Sequence, residues 1–293
     1  MRIGIDIGGT KSHAIAVDDS LRVLAEVRVP SGMGSGEVLE NARMVVGELR
    51  ERVGLPVESV GIGIPGSVDT ERGIVRHAVN LGISELELAA GLSDLVLGPV
   101  RIDNDVNVAA LGAFTTMPAG LRSMAYLNVG TGLAAGLIVN ETVWRGFGGV
   151  AGEIGHISLD RGGPRCACGQ HGCIEGNASG AAIARYWTSS VPFAEALRQG
   201  DRAASALRDR VAAGIADAVQ ILVLTVGVEI VVLSGGVIVN TPRLVDTVVR
   251  TLEDRAISSA FLTSIDLSRR IMVETPGRDV SPIGAAILGA SSR

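Results

Sequence analysis

The chain opens on an alternation of apolar and smaller positions. Ile3, Ile5 and Ile7 occupy every second place, and Gly8-Gly9 ends the run. A side-chain period of two predicts a strand with one buried face. Two similar runs follow at 13–17 and 23–29, with Asp18, Asp19 and Ser20 as the turn between them. The period then changes. Val38, Leu39, Ala42, Val45, Val46 and Leu49 recur three or four residues apart, which predicts a helix over 35–53. Short apolar runs at 60–64 and 100–102 read as buried strands. The first ends at Pro65-Gly66, the second delivers Asp103, Asn104 and Asp105, and an alanine-rich helix over 106–114 follows.

The same order restarts downstream. A strand at 124–129 runs into Gly130-Thr131-Gly132, and 134–139 reads as its hairpin partner. Residues 140–180 have no period and are rich in glycine, which marks site loops. Helices are expected over 179–189, 192–198 and 203–226, then a strand at 230–233 meeting Ser234-Gly235-Gly236. A further helix and strand precede a last helix over 282–290. DIGGTK at residue 6 and NVGTG at residue 128 are the matching points of an internal duplication. The pattern breaks at Thr115, Thr116, Met117, Pro118 and Gly120. Two lobes are therefore expected, 1–117 joined by the C-terminal segment 281–293, and 118–280.

Composition narrows the class. A chain of 293 residues accommodates two α/β lobes at roughly 150 residues per domain. Hydrophobic residues make up 47% and mean hydropathy is +0.37, so a membrane origin has to be tested. The most apolar stretch, 218–239, contains Gln220, Gly227, Glu229, Gly235 and Gly236. It falls short of the ~20 predominantly apolar residues a span requires. A buried helix ending near Gly227 and a buried strand from Glu229 account for it. Asp6 inside the first apolar run, with no cleavage pattern after it, argues against a signal peptide and for the cytoplasm. A net charge of −5 disfavours binding to nucleic acid or anionic membrane. Any phosphate must then be met locally, by backbone donors or a metal ion.

Five constellations carry chemistry. In Asp6-Ile7-Gly8-Gly9-Thr10-Lys11, the glycines let backbone N–H groups approach an anion, and Thr10 and Lys11 add a hydroxyl and a charge. Asp6 repels phosphate and suits a hydrated Mg²⁺. An ordinary glycine hairpin with a surface lysine is the plainer reading. Thr131-Gly132 repeats the arrangement after a second buried strand. Asn104-Asp105 stands at a strand end leading into a helix, where ligand clefts of α/β folds lie. Asp105 there is either a helix N-cap or a general base. Gly235 and Gly236 leave room for a flat ligand against the backbone, or simply for strand-to-helix packing.

The most specific pattern is Glu153-Ile154-Gly155-His156, nine intervening residues, then Cys166-Ala-Cys168-Gly-Gln-His171-Gly-Cys173-Ile-Glu175. One histidine and three thiolates satisfy tetrahedral Zn²⁺ with no open position, as a structural metal requires. His171 is a rival ligand inside the tight turn. A disulfide is the alternative, but three cysteines leave one unpaired.

These residues resemble the ROK (repressor, open reading frame, kinase) family of sugar kinases, from DIGGTK to SPIGAAILGA and most specifically in EIGH followed by CACGQHGCIE. The resemblance implies an α/β, actin-like ATPase (ribonuclease H-like) fold of two lobes with an interlobe cleft. It implies that Asp105 deprotonates the 6-hydroxyl of a hexose, that Asn104 and Gly66 lie at the sugar, and that Glu153, His156 and Glu175 bind its other hydroxyls. It implies Zn²⁺ on His156, Cys166, Cys168 and Cys173. Gly8, Gly9, Thr10, Lys11, Thr131 and Gly132 would face the phosphates of ATP·Mg²⁺, and Gly235 and Gly236 its adenosine. A homodimer is the family expectation.

Two departures bear on the sugar. Asn80-Leu81-Gly82 is followed by Ile83, where the glucokinase branch commonly has an aromatic residue, and Asn177 replaces a position often larger. Either change makes room for an N-acetyl group. The expected reaction is ATP-dependent 6-phosphorylation of a hexose, glucose first, with N-acetylglucosamine or N-acetylmannosamine as the alternative. Inorganic polyphosphate is an alternative donor. A sugar-responsive transcriptional repressor is the competing class. Such repressors carry an N-terminal helix-turn-helix, whereas here the first strand follows Met1 at once.

Overall fold

The computed structural model describes residues 1–275 and 279–291. Residues 292 and 293, included in the expected C-terminal segment, lie outside the described residues. The chain begins with β1 (Arg2–Ile7), β2 (Lys11–Val17), β3 (Val23–Pro30) and α1 (Gly34–Val53). Next come β4 (Ser59–Ile64), β5 (Ser67–Asp69), β6 (Ile74–Ala78), β7 (Ile83–Leu86), β8 (Val100–Asn104) and α2 (Asp105–Phe114). Then follow β9 (Met124–Val129), β10 (Leu133–Val139), β11 (Thr142–Val143), α3 (Gly180–Tyr186), α4 (Phe193–Arg198) and α5 (Arg202–Val226). The chain finishes with β12 (Ile230–Ser234), α6 (Gly236–Asn240), α7 (Leu244–Ile257), α8 (Ala260–Ile265), β13 (Ile271–Val273) and α9 (Val280–Ala290).

These elements form two units. The first takes residues 1–119, returns for 142–149 and ends with α9. Its main sheet has the order β3-β2-β1-β4-β8. β1 pairs antiparallel with β2 and parallel with β4, and β8 runs parallel to β4. Ile3, Ile5 and Ile7 are buried as the alternation requires, and they pack with Val45, Val46 and Leu49 of α1. Asp6, Gly63 and Asp103 share one row across β1, β4 and β8, so the C-terminal ends of all three strands lie along one edge.

A second sheet, β5-β6-β7, has no counterpart in the hydrophobic pattern. Its strands have three to five residues, too few for a period of two to show. α9 lies directly on the main sheet. A Cβ at Gly4 would fall 1.8 Å from the Pro282 carbonyl oxygen, and one at Gly61 1.8 Å from that of Ala285. Both neighbours are backbone, so they cannot turn aside. Gly61→Ala is expected to displace α9 and cost about 1–3 kcal/mol through overpacking. Thermal denaturation measures it, and an unchanged Tm would refute the close contact.

The second unit takes 120–141 and 150–275. Within it the sheet runs β10-β9-β12-β13, with β9 antiparallel to β10 and parallel to β12, as β1 is to β2 and β4. The duplication suggested by two glycine turns is therefore present in the strand ladders. Leu127, Val129, Val231 and Leu233 form its core with Ile215, Val219 and Leu222 of α5. α5 ends where Gly227 takes φ 75°, and the chain enters β12, as the punctuated apolar stretch required. Among the described residues no helix is long and apolar enough to cross a membrane. α3 stops at Tyr186 rather than Ser189, because Trp187 turns away, donates to the Val191 carbonyl at 2.8 Å and packs edge-on against Phe193.

Candidate functional site

In the first unit the predicted residues converge on the strand-end edge. Gly8 and Gly9 form the turn between β1 and β2, closed by Gly8 N–H donating to the Lys11 carbonyl at 3.0 Å. Buried Ser31 braces it: its hydroxyl donates to the Gly8 carbonyl at 2.7 Å, and its N–H to that of Thr10 at 3.1 Å. Gly9, Thr10 and Lys11 remain exposed. Lys11 is the only lysine in the chain, against 25 arginines, and makes no ion pair among the described residues. Sequence reading had no signal for Ser31, whose partners in this turn, Gly8 and Thr10, are more than 20 residues away.

Asn104 caps α2, its side-chain oxygen accepting the Val106 N–H at 2.9 Å. Its Nδ2 lies 3.5 Å from the Gly66 carbonyl. The cap is thus supplied chiefly by Asn104, and Asp105 occupies the first helical turn, half-buried, with Oδ1 3.0 Å from Val106 N. Asp103 behind them is 2% exposed. It accepts from Arg145 Nε at 2.7 Å, from Arg145 Nη2 at 2.6 Å and from Asn107 Nδ2 at 2.9 Å. A buried carboxylate needs such partners, because its desolvation is otherwise uncompensated. Sequence reading missed this pair: Asp103 and Arg145 stand 42 residues apart.

Asp6 sits beside this group. Burial, and secondly the charge of Asp105, push its pKa up to about 7. The sign follows from linkage. The folded state holds a proton that the unfolded chain, with its ordinary value of 3.8, releases, so stability falls as pH rises from about 4 to about 7. Asp6→Asn is therefore expected to raise Tm at pH 8 in metal-free buffer and leave it nearly unchanged at pH 4. Equal shifts at both pH values would contradict the assignment.

In the second unit, Gly130 N–H donates to the Gly132 carbonyl at 3.0 Å and closes the Thr131 turn. Gly235, at φ 97°, packs against Val129, where a Cβ would meet the carbonyl oxygen at 2.4 Å. Only glycine fits there. Ser234 before it contacts Tyr126 Oη at 2.7 Å, and Tyr126 donates to Glu274 at 2.6 Å. Glu153 is exposed, and His156 ends a single helical turn over Ile154–His156.

His156, Cys166, Cys168 and Cys173 offer four ligand atoms all within 4.8 Å of one another. Cys166 Sγ lies 3.8 Å from His156 Nδ1, and Cys168 Sγ 3.6 Å from Cys173 Sγ. Bonds of about 2.3 Å in a tetrahedron give ligand separations of about 3.8 Å, so the set fits a zinc-sized ion. The alternatives fit less well. His171 turns its Nδ1 to the Gly163 carbonyl at 3.1 Å. All three cysteines are free. Hydrogen bonds from Gln170 hold the Cys168 thiol well below its usual range, while burial and the neighbouring thiols push Cys173 up. His156 Nε2 points the other way, 3.9 Å from Glu153 Oε2.

The chain is similar to several sugar kinases. The chain is 32% identical over 197 residues to a glucokinase of Halalkalibacterium halodurans, a match covering 64% of this chain and 59% of that protein. It is 34% identical over 293 residues to the N-acetyl-D-glucosamine kinase of Escherichia coli O157:H7, covering 92% and 94%. The ROK family glucokinase of Streptomyces griseus, solved with glucose and AMPPNP, superposes with a TM-score of 0.79 at 28% identity and covers 98% of each chain. The architecture is the actin-like ATPase fold. The ROK family model matches residues 2–291, and this chain belongs to the ROK family.

Proposed function

We propose that the protein is an ATP-dependent sugar kinase that phosphorylates the 6-hydroxyl of a hexose, with Asp105 as general base. The observation that carries this reading is the common edge of β1, β4 and β8. It sets the Gly8–Lys11 turn, Gly66, Asn104 and Asp105 in one unit, with Asp105 close enough to raise the pKa of Asp6. Anion-binding groups and a proton acceptor are what transfer of a phosphoryl group to an alcohol requires. The presence of a lysine only at residue 11 supports an ammonium at the phosphates.

In the reaction the sugar oxygen attacks the γ-phosphorus, its proton passes to Asp105, and the bond to ADP breaks. Asn104 and Gly66 orient the sugar in the first unit. Glu153, His156 and Glu175 bind hydroxyls in the second. Gly8, Gly9, Thr10, Lys11, Thr131 and Gly132 hold the phosphates, and Gly235 and Gly236 the adenosine. Asp6 would hold Mg²⁺, which would supply neutralisation of the charge developing at the phosphates. His156, Cys166, Cys168 and Cys173 would hold a Zn²⁺ that would stiffen the sugar loop, and His156 Nε2 would then serve a hydroxyl. The protein works as a cytoplasmic homodimer in this reading, which light scattering tests.

Glucose is the first substrate, as for the glucokinase relatives. N-acetylglucosamine is the second reading, and one observation favours it: Arg210 takes the Asn177 side-chain oxygen at 2.9 and 2.6 Å and stacks over Tyr186, drawing Asn177 towards α5. Coupled ADP release over glucose, N-acetylglucosamine and N-acetylmannosamine, with ATP and with polyphosphate, decides between them. No turnover on any of the three would sink the kinase assignment.

A further inference from the structure

One stretch of chain contacts the Gly130–Leu133 turn at three backbone groups. Glu175 Oε2 accepts the Leu133 N–H at 3.0 Å. The N–H groups of Gly180 and Ala181 donate to the carbonyls of Gly130 and Thr131 at 2.8 and 3.0 Å. The stretch is itself held firmly. Asn177 and Ala178 N–H groups both donate to the Ile174 carbonyl at 2.9 Å, and the Ser179 hydroxyl donates to the Glu175 carbonyl at 2.9 Å. Glu175 leaves no space between itself and the turn, since a Cβ on Gly132 would lie 2.4 Å from Oε2. Its other oxygen, Oε1, lies 3.9 Å from Cys166 Sγ. One carboxylate therefore faces the thiol cluster and the glycine turn together.

We propose that Glu175, besides any contact with sugar, is a positioning residue for the nucleotide. Its hydrogen bond to Leu133 N sets the backbone of the Thr131-Gly132 turn in its phosphate-binding form. The proposal rests on the reading of that turn as a phosphate turn. Without the bond, a buried N–H loses its acceptor and the turn must be ordered by the nucleotide at the expense of affinity. The charge on Glu175 is not what this role needs. Reach and acceptor capacity are.

Titration of the full-length protein with AMPPNP·Mg²⁺, in the absence of sugar, separates this role from sugar binding. Glu175→Gln keeps an acceptor at the same reach, and its Kd should stay within about twofold of the unaltered protein. Glu175→Asp keeps the charge but withdraws the carboxylate by about 1.5 Å. It should weaken AMPPNP roughly tenfold, equivalent to about 1.4 kcal/mol, as should Glu175→Ala. Amide exchange at Leu133 should accelerate in the Asp and Ala variants and not in Gln. Unchanged affinity in Glu175→Asp, or equal loss in Gln and Asp, overturns the proposal even if Glu175→Ala fails to fold. Failure of the unaltered protein to bind AMPPNP would instead remove the phosphate-turn reading, and this proposal with it.

Discussion

Asp105→Asn is expected to lower kcat by about 10²–10⁴-fold, the usual worth of a general base, while sugar affinity stays unchanged. The side chain is half-buried at the start of α2, and Asn has the same shape and still offers an oxygen to Val106 N. The cap on α2 comes from Asn104, so the helix keeps its main N-terminal bond. What the amide lacks is a basic oxygen for the proton of the attacking hydroxyl. A second signature accompanies the loss. Removing the charge at residue 105 takes away the smaller of the two causes that raise Asp6, so the Asp6 pKa should move down from about 7 without reaching its ordinary value. Coupled ADP release measures kcat, calorimetry measures sugar affinity, and carboxyl titration by NMR follows Asp6. A kcat close to that of the unaltered protein would exclude Asp105 as the base.

Loss of the thiol cluster is the second large effect. One zinc ion per chain is the expected stoichiometry, and chelation or Cys173→Ala should cost at least 10–100-fold in activity, as loss of support around a metal site does. Cys173 is fully buried, and Cys166 nearly so. Most residues between Ile157 and His171 are exposed, so this loop has little apolar core of its own. Its order should then depend on the expected ion, because binding energy of a structural metal becomes folding energy of its loop. The damage should reach nucleotide binding as well as sugar binding, since Cys173 stands two residues from Glu175 and its bond to Leu133 N. Elemental analysis, thermal denaturation with and without chelator, and separate KM values for sugar and ATP test this. A metal-free protein with full activity would eliminate the zinc assignment.

The legibility of the site divides along the same lines. The DIGGTK turn and the His156–Cys173 ligand set were visible because their chemistry is contiguous or nearly so. Spacing alone restricts what such residues can reach. Asn104 and Asp105 were visible as a pair, but which of them caps α2 depended on the local backbone. Ser31, Arg145 and the second role of Glu175 carried no signal. Each acts on a partner more than 20 residues away, where no period connects the two positions.

The sequence by itself determined the alternation that buries Ile3, Ile5 and Ile7, the stripe of α1, and the break at Gly227 between α5 and β12. Each follows from the helix or strand repeat and from glycine punctuation within a short window. It also brought three thiols and two candidate imidazoles, His156 and His171, within 18 residues of one another. The return of the C-terminal segment to the first lobe was already expected; only the tertiary structure decided that α9 meets the backbone of Gly4 and Gly61, that residues 142–149 rejoin the first unit, and that Glu175 braces the Gly130–Leu133 turn. Those contacts join segments distant along the chain, and packing and backbone hydrogen bonding choose them after the local elements have formed.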